Sequence, residues 1–201
     1  MCRKNLSLSL AAVFLTACLY YRGGVLLIPI VLLPIAAHEL SHILALRLLG
    51  QSITGFMPDV GGLCIRYAGS CTAAGHILAA LAGPLGGLIY ALVAIHCAHI
   101  PGREWLEQSA GLSFLLTAFN LLPLLPLDGG RVFSQLCVLS LGEERGSNLC
   151  HCVSSVLLAL LLTGGVALAA WKKSTAPLAA AIWLLLFQRD KEALVNAGEI
   201  I

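Results

Sequence analysis

The sequence predicts an all-α membrane protein that crosses the bilayer about six times, as a single membrane-embedded domain over residues 1–201. Of these 201 residues, 59% are hydrophobic and only 11% are charged, and the mean hydropathy is +0.92. A soluble domain carries about 25% charged residues, so this chain has too little polar surface to cover a water-soluble globule. At ~20 residues per helical crossing, the length allows five or six spans and little else. The net charge of +2 gives no support to a nucleic-acid partner.

Six apolar runs supply the predicted crossings, and short stretches with Gly, Pro or charged residues separate them. The first run follows a basic N-terminus and resembles a signal peptide. Because Tyr20, Tyr21 and Arg22 are bulky for a cleavage site, we predict a retained helix instead. The last run is short and suits a tilted or partly inserted helix. The runs are Leu6–Tyr21, Val25–Gly50, Thr72–Ile100, Ser109–Leu141, Val153–Trp171 and Pro177–Phe187.

The basic residues between the runs predict the orientation of the chain. Six crossings place both termini on one side, and that side carries seven basic residues against four on the other. Cytoplasmic loops are enriched in Lys and Arg, so both termini are predicted to be cytoplasmic. The seven are Arg3, Lys4, Arg47, Arg66, Arg145, Arg189 and Lys191, and the four are Arg22, Arg103, Lys172 and Lys173.

The segment 51–72, between the second and third runs, is less apolar and rich in Gly and Pro. Residues Ile53–Phe56 and Leu63–Tyr67 fit two short strands around the turn-forming Pro58–Gly62. This pattern predicts a hairpin-like segment. A plain surface loop fits the same residues equally well, and both alternatives stay open.

Acidic residues and histidines are few inside the apolar runs, and three of them belong to His38-Glu39-Leu40-Ser41-His42. A charge near the centre of a membrane helix costs about 2.5–3.5 kcal/mol on insertion scales, so such residues usually have a function. Residues four apart share a helix face, so both imidazoles can reach one zinc ion. Glu39 can take a proton from the ion's bound water and deliver it to a leaving amine. The motif predicts a hydrolytic zinc site; a polar cluster that holds helices together is the alternative.

Such a site normally has three protein ligands and one open position, so a third ligand is needed. Only one further acidic residue lies in an apolar run, Asp128. Pro123 and Pro126 break the preceding helix, and unwound backbone in a membrane is tolerated where it packs in protein or lines a watery cavity. We therefore predict Asp128 as the third ligand, with His76 and Cys137 as the competing candidates.

Three other features of the apolar runs need an interpretation. Asn120 could bind the substrate backbone or stabilise an oxyanion, but a hydrogen bond between helices is equally consistent. Cys150-His151-Cys152 lacks a second pair at zinc-finger spacing, so we interpret these residues as packing. The small residues of Ala82–Gly87 indicate close helix packing rather than catalysis.

The motif at 38–42, together with Asn120-Leu-Leu-Pro-Leu-Leu-Pro-Leu-Asp128-Gly129-Gly130, resembles the site-2 protease family of intramembrane metalloproteases. The six-span layout is most similar to the branch that contains stage IV sporulation protein FB. The resemblance covers most of residues 25–141. It implies one zinc ion held by His38, His42 and Asp128, with Glu39 as the catalytic glutamate.

The resemblance also implies a biological setting. The expected activity is cleavage of membrane-tethered regulatory precursors, such as a pro-sigma factor, in a bacterial cell membrane. The expected partners are such a substrate, the lipid bilayer, and inhibitory or regulatory membrane proteins. In relatives, the hairpin after the second span is thought to help present the substrate.

The chain departs from its relatives in three respects. Relatives often add a CBS domain after the last span, and we expect none here. We also expect no PDZ-like insertion, and Gly87 stands where relatives often have Asn. Two rival functions are a metal transporter and a scaffold built on an inactive protease fold. A transporter would keep its function in Glu39→Gln, and a scaffold would hold no metal.

Overall fold

The computed structural model describes residues 24–59, 62–68, 72–125, 127–172 and 185. The described ranges contain five long helices and two strands. The first predicted span and all of the sixth except Leu185 lie outside them, so the number of six crossings stays a prediction. The elements are α1 (Leu27–Leu48), β1 (Ser52–Asp59), β2 (Gly62–Ala68), α2 (Ala73–Ala98), α3 (Trp105–Asn120), α4 (Asp128–Leu141) and α5 (Glu143–Lys172).

Three of the described helices are long and apolar enough to cross a membrane: α1, α2 and the Glu143–Ala167 part of α5. The outer face of α1 illustrates why. Leu40, Leu44 and Leu48 follow one another at four-residue spacing and are 61%, 59% and 80% exposed. A row of exposed leucines is unfavourable in water but is well solvated by lipid chains. This face of α1 is therefore typical of a helix that contacts lipid.

The chain divides into two compact units. The first includes Leu81–Phe119 and the described parts of Met1–Asp59 and Leu63–Ser70. The second includes Cys71–Ala80, with the described parts of Val60–Gly62 and Asn120–Ile201.

Within the first unit, a hydroxyl of α3 donates the hydrogen bond that a proline in α1 cannot donate. Pro34 lies inside α1 and has no backbone N–H, so it cannot donate to the carbonyl of Ile30, four residues earlier. Ser109 Oγ donates to that carbonyl oxygen at 3.1 Å and also lies 2.7 Å from Tyr90 Oη. Backbone groups at membrane depth need partners within the protein, and Ser109 supplies this one.

Two further hydroxyls of α3 bond to the backbone of α2. Ser113 Oγ donates to Gly87 O at 2.7 Å, and Thr117 Oγ1 donates to Pro84 O at 3.5 Å. All three hydroxyl residues of α3 are buried and follow a four-residue spacing, so they form one polar face. Small residues fill the rest of this contact, namely Ala91 and Ala94 of α2 and Ala110 of α3.

The segment after α1 contains β1 and β2, which pair in a two-stranded sheet. The chain turns after α1 at Gly50, whose φ of +73° lies in the left-handed region that glycine adopts most easily. Of the two alternatives for residues 51–72, the hairpin is the one with this strand pairing.

The predicted Asp-bearing run Ser109–Leu141 corresponds to most of α3 and to α4, and the described residues between these helices, 121–125 and 127, are not helical. Pro123 is one of these residues. Helices α4 and α5 pack against each other, and the Gly146 position approaches the backbone of Cys137 closely. Ser154 Oγ accepts a hydrogen bond from Leu125 N at 3.4 Å.

Helix α5 begins ten residues before the apolar run from which it was predicted, at Glu143 rather than Val153. Hydropathy detects only the apolar part of a helix, whereas the first turns of α5 are polar. Glu143 and Glu144 lie in the first turn, where carboxylates interact favourably with the helix dipole.

Candidate metal centre

Helix α1 presents two imidazoles to each other. His38 and His42 are separated by one helical turn, and their Nε2 atoms lie 3.2 Å apart. The ring centroids are 4.9 Å apart, with an angle of 80° between the ring planes. His38 is buried and His42 is half-buried. The two nitrogens that can bind a metal thus converge.

This separation fits a shared zinc ion. Two ligands of a tetrahedral zinc, each at about 2.0–2.1 Å from the metal, lie about 3.3 Å apart. The observed 3.2 Å between the Nε2 atoms agrees with this value without any change in the helix. Imidazole nitrogens are also among the ligands that zinc prefers.

Glu39 follows His38 on α1 and is half-buried. A carboxylate at this position is anchored to the same rigid helix as the two imidazoles. It can therefore serve in proton transfer close to them, provided that a substrate reaches this part of the helix.

Helix α2 lies against the imidazoles through a residue without a side chain. A Cβ atom at Gly83 would overlap Nε2 of His42 and would lie 2.8 Å from Nε2 of His38. Gly83 is buried and is followed by the buried Pro84. The sequence pattern indicated close packing here, but it did not indicate that the packing partner would be the histidine pair.

Asp128 is the first residue of α4 and is 6% exposed. The turn before it is held by hydrogen bonds from Leu124 N to Leu122 O at 2.7 Å and from Leu127 N to Leu124 O at 2.8 Å. Arg131 Nη1 lies 3.9 Å from Asp128 Oδ1, with the arginine largely exposed. A carboxylate at the start of a helix also interacts favourably with the helix dipole.

The glycines after Asp128 allow a close backbone approach. A Cβ at Gly129 would overlap the carbonyl group of Leu121, and one at Gly130 would overlap that of Leu124. The fold of residues 121–130 therefore requires glycine at both positions, which is the physical reason for the Asp-Gly-Gly sequence.

Within the described part of the chain, one group of side chains has the composition of a metal site. These are His38 and His42 of the first unit and Asp128 of the second. Two imidazoles and a carboxylate are the donor set of many hydrolytic zinc sites. Asp128 as the third ligand, with His76 and Cys137 as the competing candidates, stays a prediction.

Other residues singled out by the sequence lie elsewhere or have no defined role. Asn120 is the half-buried last residue of α3, and its predicted contribution to catalysis stays a prediction. Cys150, His151 and Cys152 are consecutive on α5. Consecutive helical side chains are ~100° apart around the axis, so these three do not share a face.

Comparison with known proteins supplies a family and a fold. The sequence profile of the family Peptidase M50B-like matches residues 8–125, a range that includes the motif at 38–42. No curated protein is significantly similar to the chain. Among solved structures, the site-2 protease from Methanocaldococcus jannaschii is similar, with a TM-score of 0.67 and 18% identity. The similarity covers 92% of this chain and 86% of that one and concerns the fold.

Proposed function

We propose that this chain, which belongs to the Peptidase M50B-like family, is a zinc metalloprotease that hydrolyses peptide bonds of membrane-embedded or membrane-tethered proteins. The observation that carries the proposal is the pair of Nε2 atoms 3.2 Å apart on an apolar helix long enough to cross a membrane. Such a helix has no structural need for two imidazoles and a glutamate, because each costs free energy to insert. Their retention is explained by chemistry.

His38, His42 and Asp128 are the proposed ligands of one zinc ion. When bound, the ion acts as a Lewis acid toward water and toward the scissile carbonyl. The imidazoles come from one helix, which brings them to the same face. The carboxylate is buried at a helix start, and the hydrogen bonds from Leu124 N to Leu122 O and from Leu127 N to Leu124 O hold the preceding backbone in place.

Glu39 is the proposed general base and general acid. Its carboxylate accepts a proton from the attacking water and then donates that proton to the nitrogen of the departing amine. The proton is therefore returned in the second step, and the residue ends the reaction ionised as it began. Asn120 is the proposed donor of a hydrogen bond to the substrate backbone or to the developing oxyanion.

The proposed substrate is a protein segment that enters the site in an unwound form. A peptide bond in an intact helix is shielded by the hydrogen bonds of its own helix, so unwinding must precede attack. The β1–β2 sheet has two strands and therefore offers edges with backbone groups available for strand addition. Proline at 65 or 67 removes one N–H of β2. Cleavage that persists at the wild-type rate in both Ile65→Pro and Tyr67→Pro would end this pairing idea.

Finer assignments rest on motif resemblance. The layout of the Glu39 and Asp128 motifs supports the branch of stage IV sporulation protein FB, and with it a pro-sigma factor as substrate and a role in sporulation. The excess of basic residues supports a bacterial cell membrane topology with both termini in the cytoplasm. Inhibitory or regulatory membrane proteins are the proposed partners that control access.

The test is co-expression with a candidate tethered precursor, followed by immunoblotting for the released product. Wild type should cleave the precursor, whereas Glu39→Gln and Asp128→Ala should not. Glu39→Gln should still bind zinc, because the substitution removes only the proton-transfer group. Function that survives Glu39→Gln would point to metal transport. A wild-type protein that holds no zinc and cleaves nothing would point to a scaffold.

A further inference from the structure

The glycines of α2 that face α1 do not have the same neighbours. A Cβ at Gly83 would overlap the imidazole of His42 and lie 2.8 Å from Nε2 of His38. A Cβ at Gly86 would overlap the side chain of Ser41, which also lies on α1. Only the first of these two positions therefore touches the metal-binding nitrogens.

We propose that Gly83 is a positioning residue of the metal centre, an inference that rests on the zinc site of the proposed function. The missing side chain at this position leaves open the space beside both Nε2 atoms. Any Cβ there would displace the His42 ring or occupy volume next to the nitrogens. Glycine at 83 thus keeps the two nitrogens at a separation that one ion can bridge, 3.2 Å.

Two features of the site make displacement of the rings costly. Both imidazoles are carried by consecutive turns of α1. The backbone of a helix cannot adjust as a loop can, so it does not compensate for a shifted ring. Gly83 is itself held in α2, whose adjacent residue Pro84 accepts the hydrogen bond from Thr117. A shift of α2 would therefore disturb its contact with α3.

Gly87 shows that close packing and metal positioning are separate properties of this face. A Cβ at Gly87 would lie 2.6 Å from Thr117 Oγ1 but 3.9 Å from His38 Nδ1, which is ordinary van der Waals contact. Its role is to let the hydroxyls of α3 reach α2. Of Gly83, Gly86 and Gly87, only Gly83 would place a Cβ in conflict with an imidazole.

The first experiment compares Co²⁺ binding by the full chain in detergent, followed through the visible absorption of the bound ion. Gly83→Ala should raise the Kd for Co²⁺ about 10- to 100-fold, the range typical when a group that orients metal ligands is altered. Gly86→Ala adds the same methyl group to the same helix face, against Ser41. Gly111→Ala adds it in α3, where no atom lies within 4 Å. Both controls should keep the wild-type Kd.

Wild-type affinity in Gly83→Ala would overturn the proposal. So would an equal loss in Gly83→Ala and Gly86→Ala, because the effect would then belong to helix separation in general. If wild type itself binds no Co²⁺, the proposed function fails instead, and the second experiment still tests the geometry.

The second experiment is a double-mutant cycle that needs no metal. If Gly83→Ala alone does not fold, the readout becomes whether the double variant with His42→Ala folds. The unfolding temperature is measured for wild type, Gly83→Ala, His42→Ala and the double variant. Gly83→Ala should lower it strongly in wild type and much less in the His42→Ala background, where the overlapping ring is gone. An equal lowering in both backgrounds would show that His42 is not the conflicting group and would overturn the proposal.

Discussion

The Nε2 atoms of His38 and His42 lie 3.2 Å apart across one turn of α1. The helix brings the two side chains to one face, because about 3.6 residues make one turn. That the two imidazoles share a helix face is therefore a local property of the sequence. A third ligand and a general base complete the requirements of a hydrolytic site, and each can be tested separately.

Replacement of Asp128 tests the third ligand. We expect Asp128→Ala to lose most of its bound zinc, because two imidazoles alone leave the ion with too few protein ligands. His76→Ala and Cys137→Ala are the matched controls, since these residues are the competing candidates. Both should retain one zinc per chain by atomic absorption. Loss of zinc in a control variant, with retention in Asp128→Ala, would assign the third ligand to that residue.

Replacement of Glu39 tests proton transfer. Removal of a general acid or base typically lowers a rate by about 10²–10⁴-fold, and we expect Glu39→Gln to fall in this range with its zinc content unchanged. Glu39→Asp keeps the carboxylate but shortens the side chain, so some activity should remain. The measurement is the rate of product release from a purified substrate. Equal rates for wild type and Glu39→Gln would exclude Glu39 from the reaction.

Replacement of Ser109 tests whether its hydroxyl compensates for the backbone N–H that Pro34 lacks in α1. We expect Ser109→Ala to lower the free energy of unfolding by about 0.5–1.5 kcal/mol, because Ile30 O loses its hydroxyl donor. Pro34→Ala restores a backbone N–H that can donate to the same oxygen. In that background Ser109→Ala should cost less.

Ser140→Ala is the control for Ser109, because Ser140 Oγ bonds only within its own helix, to Leu136 O at 2.8 Å. Unfolding in detergent, followed by circular dichroism, measures all these variants. If Ser109→Ala were equally destabilising with and without Pro34, the hydrogen bond to Ile30 would not be compensating for the proline.

The hydrogen bonds of Glu104, just before α3, make the stability of the fold depend slightly on pH. Hydrogen bonds from its own backbone N–H and from Gly102 N hold the pKa of Glu104 below its ordinary value of 4.5. A depressed pKa stabilises the fold above the ordinary pKa, and this contribution is lost as the pH falls through the folded value. We expect a ¹³C NMR titration of the carboxyl to have its midpoint below 4.5. The resonance should be absent from Glu104→Gln, and a midpoint at or above 4.5 would contradict the capping interaction.

The histidine motif could be predicted from sequence because it depends only on helical periodicity. Asp128 could be predicted as a ligand because few carboxylates occur in the apolar runs. The contact between Gly83 and the imidazoles could not be predicted in this way. It depends on how α2 approaches α1, and small residues permit many such approaches.

The partner of Ile30 shows the same limit. Pro34 indicates from sequence that the carbonyl of Ile30 needs a donor, but Ser109 lies 79 residues away along the chain. Several hydroxyl residues of the apolar runs could have filled this role. Which hydroxyl bonds to Ile30 O depends on tertiary packing, and the local sequence does not indicate it. The start of α5 at Glu143 was missed for a different reason, because hydropathy does not detect polar helical turns.

The most direct test of the central claim is zinc K-edge X-ray absorption on the Glu39→Gln protein, whose metal should remain bound. The account predicts one zinc per chain with only nitrogen and oxygen neighbours at about 2.0–2.1 Å, and with the outer-shell scattering of two imidazoles. A sulfur neighbour at about 2.3 Å, or a protein that binds no zinc, would contradict it.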